Sequence, residues 1–260
     1  MLQAFGVPPT LVQLAGGEGR SWHSGDLVLK PVDDGEEAGW VAQVLAQLPE
    51  VGFRVPRPVR AGDGSWVVDG WTASRWVAGR HDLSGRWPEV LEVADRFHGA
   101  LSDLPRPGFL DRRTHPWSVG DRVAWGEASR PTQSRALDPL LQRLYGYLHP
   151  VGLPSQVIHG DLPGNVLFAE GLPPAVIDFS PYYRPAGFAT AIVIVDAIAW
   201  YGASPDLAEH AGDVELLDQL VARAAIYRLV TADVVSASQT TDWVLRQAEA
   251  HRPILELIGA

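Results

Sequence analysis

The hydrophobic spacing of this chain changes once, close to residue 79, and that change limits its possible architectures more than any other feature. Upstream, short apolar runs rich in valine and tryptophan are punctuated by glycine and proline, at residues 27–32, 55–61, 65–69 and 71–77. Runs of this length predict strands of an antiparallel sheet, the middle two joined by a turn at Gly62-Asp63-Gly64. One helix interrupts them over 36–48, with Trp40, Val41, Val44, Leu45 and Leu48 on one face, and it stops before Pro49. Downstream the spacing becomes helical. Trp87, Val90, Leu91, Ala94, Phe97, His98 and Leu101 form one stripe, and Leu137, Leu140, Leu141, Leu144, Tyr145 and Leu148 another. Loops are expected over 105–116 and 130–135, and further helical patterns over 187–201, 214–237 and 241–258. The exception is 156–180, where Val166-Leu167-Phe168 and Ala175-Val176-Ile177 alternate with polar clusters and read as a small hairpin.

These two textures predict a two-lobed α+β architecture. Residues 1–79 form a small antiparallel-sheet lobe with one helix, residues 80–260 a larger, mostly helical lobe, and a cleft between them is the expected ligand site. A chain of 260 residues suffices for two compact units, and 46% hydrophobic against 20% charged residues excludes a disordered chain. With no cysteine there are no disulfides, thiolate metal sites or thiol nucleophiles, so a cytoplasmic location is expected. The N-terminal residues lack the basic start and apolar core of a secretory signal. A formal charge of −10 opposes adhesion to nucleic acid or to an anionic membrane, and neither is expected as a partner. The longest apolar stretch, 188–203, is interrupted by Asp196 and falls short of the ~20 residues of a membrane span. It reads as a buried helix.

Twenty of the 21 basic residues are arginine, which leaves Lys30 as the only lysine. An ammonium is a compact point charge and a guanidinium a planar fork, so a lone lysine marks either a position where the exchange fails or chance in an arginine-biased chain. It lies on the run Leu27-Val28-Leu29-Lys30, downstream of the glycine-rich turn Gly16-Gly17-Glu18-Gly19, whose backbone permits close approach to a phosphate. The following helix opens with Glu36 and Glu37, either able to pair with the ammonium; both also answer the helix dipole. The second concentration of chemistry is His159-Gly160-Asp161-Leu162-Pro163-Gly164-Asn165, with Asp178-Phe179-Ser180 after the next strand-like run. A strand-end aspartate and an asparagine offer the oxygen donors that Mg²⁺ prefers, while Asp161 is placed to orient or deprotonate a hydroxyl. Taken singly, an Asx turn at Asp161 and Asn165 and a loop cap at Asp178 explain these residues equally well. Asp206, Glu209, Asp213, Glu215 and Asp218 are either a cation-attracting cluster or a solvated face.

In chain order, the glycine-rich turn, strand lysine, helix glutamate, H-G-D…N loop and D-F-S segment resemble the aminoglycoside phosphotransferase family, the small-molecule branch of the protein-kinase-like fold. Phe97-His98 resembles the leucine-histidine pair of the matching helix. The resemblance implies ATP- and Mg²⁺-dependent transfer of the γ-phosphoryl group to a hydroxyl of a small molecule, with an amino sugar or another cationic metabolite among the acceptors to expect. Position by position it puts the catalytic aspartate on Asp161 and the metal ligands on Asp178 and Asn165. The phosphate-contacting lysine falls on Lys30, its partner on Glu37 with Glu36 as the alternative, and the phosphate loop on Gly16, Gly17 and Gly19. The adenine-reading hinge falls on Ser74, Arg75, Trp76 and Val77, through backbone groups, and His159 supports its loop. The chain departs from the family pattern in one respect: three residues, Leu162, Pro163 and Gly164, separate Asp161 from Asn165 where the family usually has four. That short loop motivates a rival reading, a nucleotide-binding kinase-like module without catalysis. A metal-dependent phosphoesterase is disfavoured, because the histidines other than His159 are scattered singly.

Overall fold

The computed structural model describes residues 1–14 and 19–260 and has a mixed α+β fold. The chain gathers into two compact units, Met1–Asp82 with Asn165–Phe179, and Leu83–Gly164 with Ser180–Ala260. The hairpin 165–179, counted with the helical part on sequence grounds, thus packs with the sheet. Its backbone is tied there at both edges. Arg54 N–H donates to Pro174 O and Val176 N–H to Arg54 O, both at 2.8 Å, while Arg80 and Phe168 exchange bonds at 2.9 Å.

The first unit is an antiparallel sheet of five strands in the order β1-β2-β3-β5-β4: β1 Val12–Gln13, β2 Trp22–Ser24, β3 Leu27–Pro31, β4 Pro58–Val59 and β5 Trp71–Arg75. Strand alternation buries Leu27 and Leu29 against Phe5, Ala61 and Ala73, and so turns Val28 and Lys30 to the opposite face. Helix α1, Gly35–Gln47, starts where Asp34 accepts the N–H groups of Glu36 and Glu37 at 2.8 and 3.1 Å. It buries Ala42 and Leu45, with Leu48 buried just beyond its end. The strand expected over 65–69 does not form. Asp63 Oδ1 takes both the N–H and the hydroxyl of Ser65, at 2.9 and 2.6 Å, and this local capture competes with a ladder. Asp69 and Gly70 then turn the chain at φ 51° and 75°.

The second unit is helical: α2 Trp87–Leu101, α3 Pro116–Ala124, α4 Asp138–Tyr147, α5 Ala186–Tyr201, α6 Leu217–Val235, α7 Thr241–Ala250 and α8 Arg252–Ile258. Two short strands, β6 Gln156–His159 and β9 Pro181–Arg184, form an antiparallel ladder in it. Between them in the chain, β7 Val166–Ala169 and β8 Leu172–Val176 make the hairpin of the first unit. The 241–258 pattern is two helices, because Pro253 has no N–H to continue the first; His251 caps α7 and opens α8. Helix α3 has no clear apolar stripe in the sequence. It is nucleated by Pro116 after the cap His115, and Gly120 lets it press on α6, where a Cβ would meet Thr231 Oγ1 at 2.4 Å. Helix α5 is buried along most of its length, as the 188–203 stretch predicts, and α6 is buried likewise. Among the described residues no helix is long and apolar enough to cross a membrane.

Candidate active site

In the first unit the β3 alternation brings Lys30 out of the face opposite the core, and its Nζ forms an ion pair with Asp178 Oδ1, 148 residues away. Each side chain is about one-third exposed, at 34% and 36%. Glu36 and Glu37, the partners expected for Lys30 from the sequence, lie in the first turn of α1, where Asp34 accepts their N–H groups. Asp178 sits in the left-handed region at φ 49°, a conformation that aspartate tolerates better than most residues and that clusters at functional sites. Phe179 beside it packs against Trp40, ring centroids 6.4 Å apart.

Asn165 and Asp178 flank the same end of the β7–β8 hairpin. Val166 pairs with Val176, and Ile177 N–H donates to Asn165 O at 2.9 Å. A carboxylate and a carboxamide at one hairpin end fit a hard divalent cation, which takes one or two protein carboxylates plus phosphate oxygens. A three-residue 3-10 turn, Pro163–Asn165, occupies the shortened spacer.

The four expected hinge residues differ in what they can offer. Ser74 lies within β5, Arg75 N–H donates to Arg57 O, and Trp76 N–H donates to Asp26 O, both at 2.8 Å. Val77 lies beyond the strand and, among the described residues, its N–H has no acceptor. Trp76 is 46% exposed and rests on His23 with centroids 4.8 Å apart, so it does not pack beneath the sheet. Gly79 follows at φ +151°, where a Cβ would lie 2.8 Å from Leu167 Cβ. Of the glycine-rich turn, Gly16 and Gly17 lie outside the described residues; Gly19 has φ +67°, and its carbonyl accepts from Gln13 Nε2 at 2.6 Å.

In the second unit β6 delivers the His159-Gly160-Asp161 loop. His98 of α2 is buried, with Nδ1–H toward the Ala94 carbonyl and Nε2 accepting the His159 N–H at 3.0 Å. His159 Nδ1 in turn accepts the Asp161 N–H at 3.0 Å. Burial, reinforced by His159, pushes the His98 pKa down to about 3, so its neutral tautomer persists. Gly160 has no room for a side chain: a Cβ would meet the Tyr182 ring at 2.2 Å. Its N–H donates to Ser180 O at 2.9 Å.

The Asp161 side chain is 47% exposed, and its Oδ1 accepts from Arg228 Nη2 at 2.8 Å. The same guanidinium binds the buried Asp196 through Nε at 2.8 Å. Burial raises the Asp196 pKa to about 6 in spite of Arg228. In the sequence Asp196 stands out as the charge that interrupts the 188–203 apolar stretch, whereas Arg228 is not singled out. The available signal was that each is a charge with mainly apolar neighbours on either side in a helical run, and opposite buried charges need one another.

At the other end of the β6–β9 ladder lies a cavity of about 420 Å³ whose walls include Arg113, Asp121, Tyr182 and Arg184. Arg184 is already forked onto Asp121 at 3.0 and 2.7 Å. The acidic residues Asp206, Glu209, Asp213, Glu215 and Asp218 are exposed.

A model of the phosphotransferase enzyme family matches residues 14–183. The chain belongs to this family. That span contains Lys30, Asp161, Asn165 and Asp178 of the phosphotransferase chain, and ends at Tyr183 within β9. Solved structures share its fold. The GDP complex of aminoglycoside 2'-phosphotransferase-IIIa matches with a TM-score of 0.59 and 16% identity, over 99% of this chain and 96% of that one. A thermostable mutant of aminoglycoside phosphotransferase APH(4)-Ia in ternary complex with ADP and hygromycin B gives 0.60 and 18%, over 98% and 96%. The AMP-bound spectinomycin phosphotransferase APH(9)-Ia gives 0.65 and 10%, over 100% and 96%. No curated protein matches the chain.

Proposed function

We propose that this phosphotransferase moves the γ-phosphoryl group of ATP, with Mg²⁺, to a hydroxyl of a small molecule. The observation that carries the reading is the convergence of Lys30 and Asp178, the one lysine and a strained carboxylate, from opposite ends of the motif series. Lys30 binds phosphate oxygens. Asp178 and Asn165 hold the cation, which when bound neutralises charge on the phosphates. The base is read by backbone groups at the hinge, with Val77 as the donor because the Arg75 and Trp76 amides are committed to the Arg57 and Asp26 carbonyls. Asp161 accepts the hydroxyl proton or aligns the hydroxyl, held by His159 at its N–H and by Arg228 at its carboxylate. Related folds in complex with hygromycin B and with kanamycin make amino-sugar hydroxyls the first acceptors to try.

The decisive experiment measures nucleotide consumption with Mg²⁺ across a panel of amino sugars and simple alcohols, for the natural chain and Asp161→Asn. Acceptor-dependent turnover that falls by about 100-fold or more in the variant, with nucleotide affinity kept, supports the reading. The shortened Leu162-Pro163-Gly164 spacer, whose last two residues form a 3-10 turn with Asn165, favours one alternative, a nucleotide-binding module without catalysis. Tight nucleotide binding with no turnover on any acceptor or on water would establish that alternative.

A further inference from the structure

Arg228 lies on the buried helix α6, and its guanidinium is 1% exposed. A charge in that position needs anionic partners, since removing it from water unpaired is costly. It has two, 67 and 32 residues away: Asp161 at the loop and Asp196 on α5. Asp196 is as buried as Arg228, at 2% side-chain exposure, and takes the Nε side of the fork. The guanidinium also stands over the rings of Trp200 and Tyr227, at 5.2 and 4.7 Å from their centroids. Bidentate pairing on one edge and aromatic rings beside it leave the group little freedom to swing.

The residue before Arg228 touches the residue before Asp161. Tyr227 Oη donates to Gly160 O at 3.3 Å, so consecutive residues of α6 grip consecutive residues of the loop, one by main chain and one by side chain. Asp161 is therefore fixed at its N–H by His159 and at Oδ1 by Arg228. We infer that Arg228 is a positioning residue for Asp161: anchored by Asp196, it holds the Oδ1 edge of the carboxylate and thereby directs Oδ2 to the acceptor hydroxyl. This rests on Asp161 being the residue that meets that hydroxyl. An aspartate left to rotate about its side-chain bonds would sample the productive geometry only part of the time, which lowers turnover without touching nucleotide binding.

The test compares Arg228→Met, Arg228→Lys and the paired replacement Asp196→Leu/Arg228→Met, which removes both buried charges and protects the fold. Expected is a loss in kcat of about 100-fold for both methionine variants with the nucleotide KM kept within about twofold, and partial recovery with lysine. In an Asp161→Asn background the Arg228→Met change should cost less than about twofold, because the residue acts only through the carboxylate. An additive loss in that background, or full activity in the folded paired variant, overturns the inference. A crystal structure of the paired variant supplies a readout that does not need turnover. An Asp161 side chain spread over several rotamers supports the assignment even if the natural chain transfers no phosphate, and an unmoved, singly ordered carboxylate refutes it.

Discussion

The Nε2 of His98 accepts the main-chain N–H of His159 at 3.0 Å, and this bond exists only while His98 is neutral. His98 is held near a pKa of 3 by burial, and His251, buried between α7 and α8 with Nδ1 at the Gln247 carbonyl, is held near 4 by burial. Both are depressed from the usual 6.5, so the unfolded chain binds protons that the folded chain refuses. Stability is therefore full above pH 6.5 and falls as the pH drops toward these folded values. Each contributes a loss of about 3 kcal/mol by about pH 4. Asp196, raised to about 6 by burial, acts in the opposite direction over the lower part of that range. His251→Gln should accordingly lose about 3 kcal/mol less than the natural chain between about pH 7 and 4 in denaturant titrations; parallel pH curves would contradict the assignment.

Removing the lysine separates stability from binding. The Lys30–Asp178 pair is exposed enough for water to screen it, so Lys30→Met should change the unfolding free energy by less than about 1 kcal/mol. A charge-assisted bond to a phosphate is worth more, and nucleotide affinity should fall by roughly tenfold to 100-fold. Calorimetric titration beside a thermal melt reads both. A large drop in melting temperature with unchanged affinity would mean that the pair is structural.

Gly160 offers a packing test at the loop. A Cβ there would stand 2.2 Å from Cδ2 of Tyr182, whose ring is itself wedged against Tyr227. Gly160→Ala should cost about 2 kcal/mol or more and lower turnover together with stability, since the ring cannot withdraw without disturbing β9. A natural denaturation midpoint for this variant would show that the loop has slack.

Asp233 gives a stability test on α6, beyond Arg228. It is fully buried, with Oδ2 receiving Arg130 Nε at 2.7 Å and Oδ1 receiving the N–H groups of Gln133 and Ser134 at 3.2 and 2.7 Å. Asp233→Ala leaves a guanidinium and two amides without this partner, so a loss of about 3 kcal/mol or more is expected by chemical denaturation. A loss below about 1 kcal/mol would mean that water replaces the carboxylate readily.

How legible the chain was depended on the range of the interaction. Strand β3, helices α1, α2, α4, α5 and α6, and the β7–β8 hairpin follow from apolar periodicity, because each buries a face that its own residues define. Helix α3 and the missing strand at 65–69 were not readable in that way. The first depends on Gly120 meeting α6, and the second was lost to hydrogen bonds that a single aspartate accepts from Ser65.

The sequence by itself determined the change from sheet to helix near residue 79, the isolation of one lysine on a strand, and a carboxylate-bearing loop after a buried strand, since spacing and residue chemistry are local properties. Only the tertiary structure decided which distant opposite charges meet: Lys30 with Asp178, and Asp161 with an arginine from α6. Partnership between residues 148 or 67 positions apart depends on how segments close on one another and on the cost of leaving a buried charge alone. Neither quantity is written in the spacing of the residues themselves.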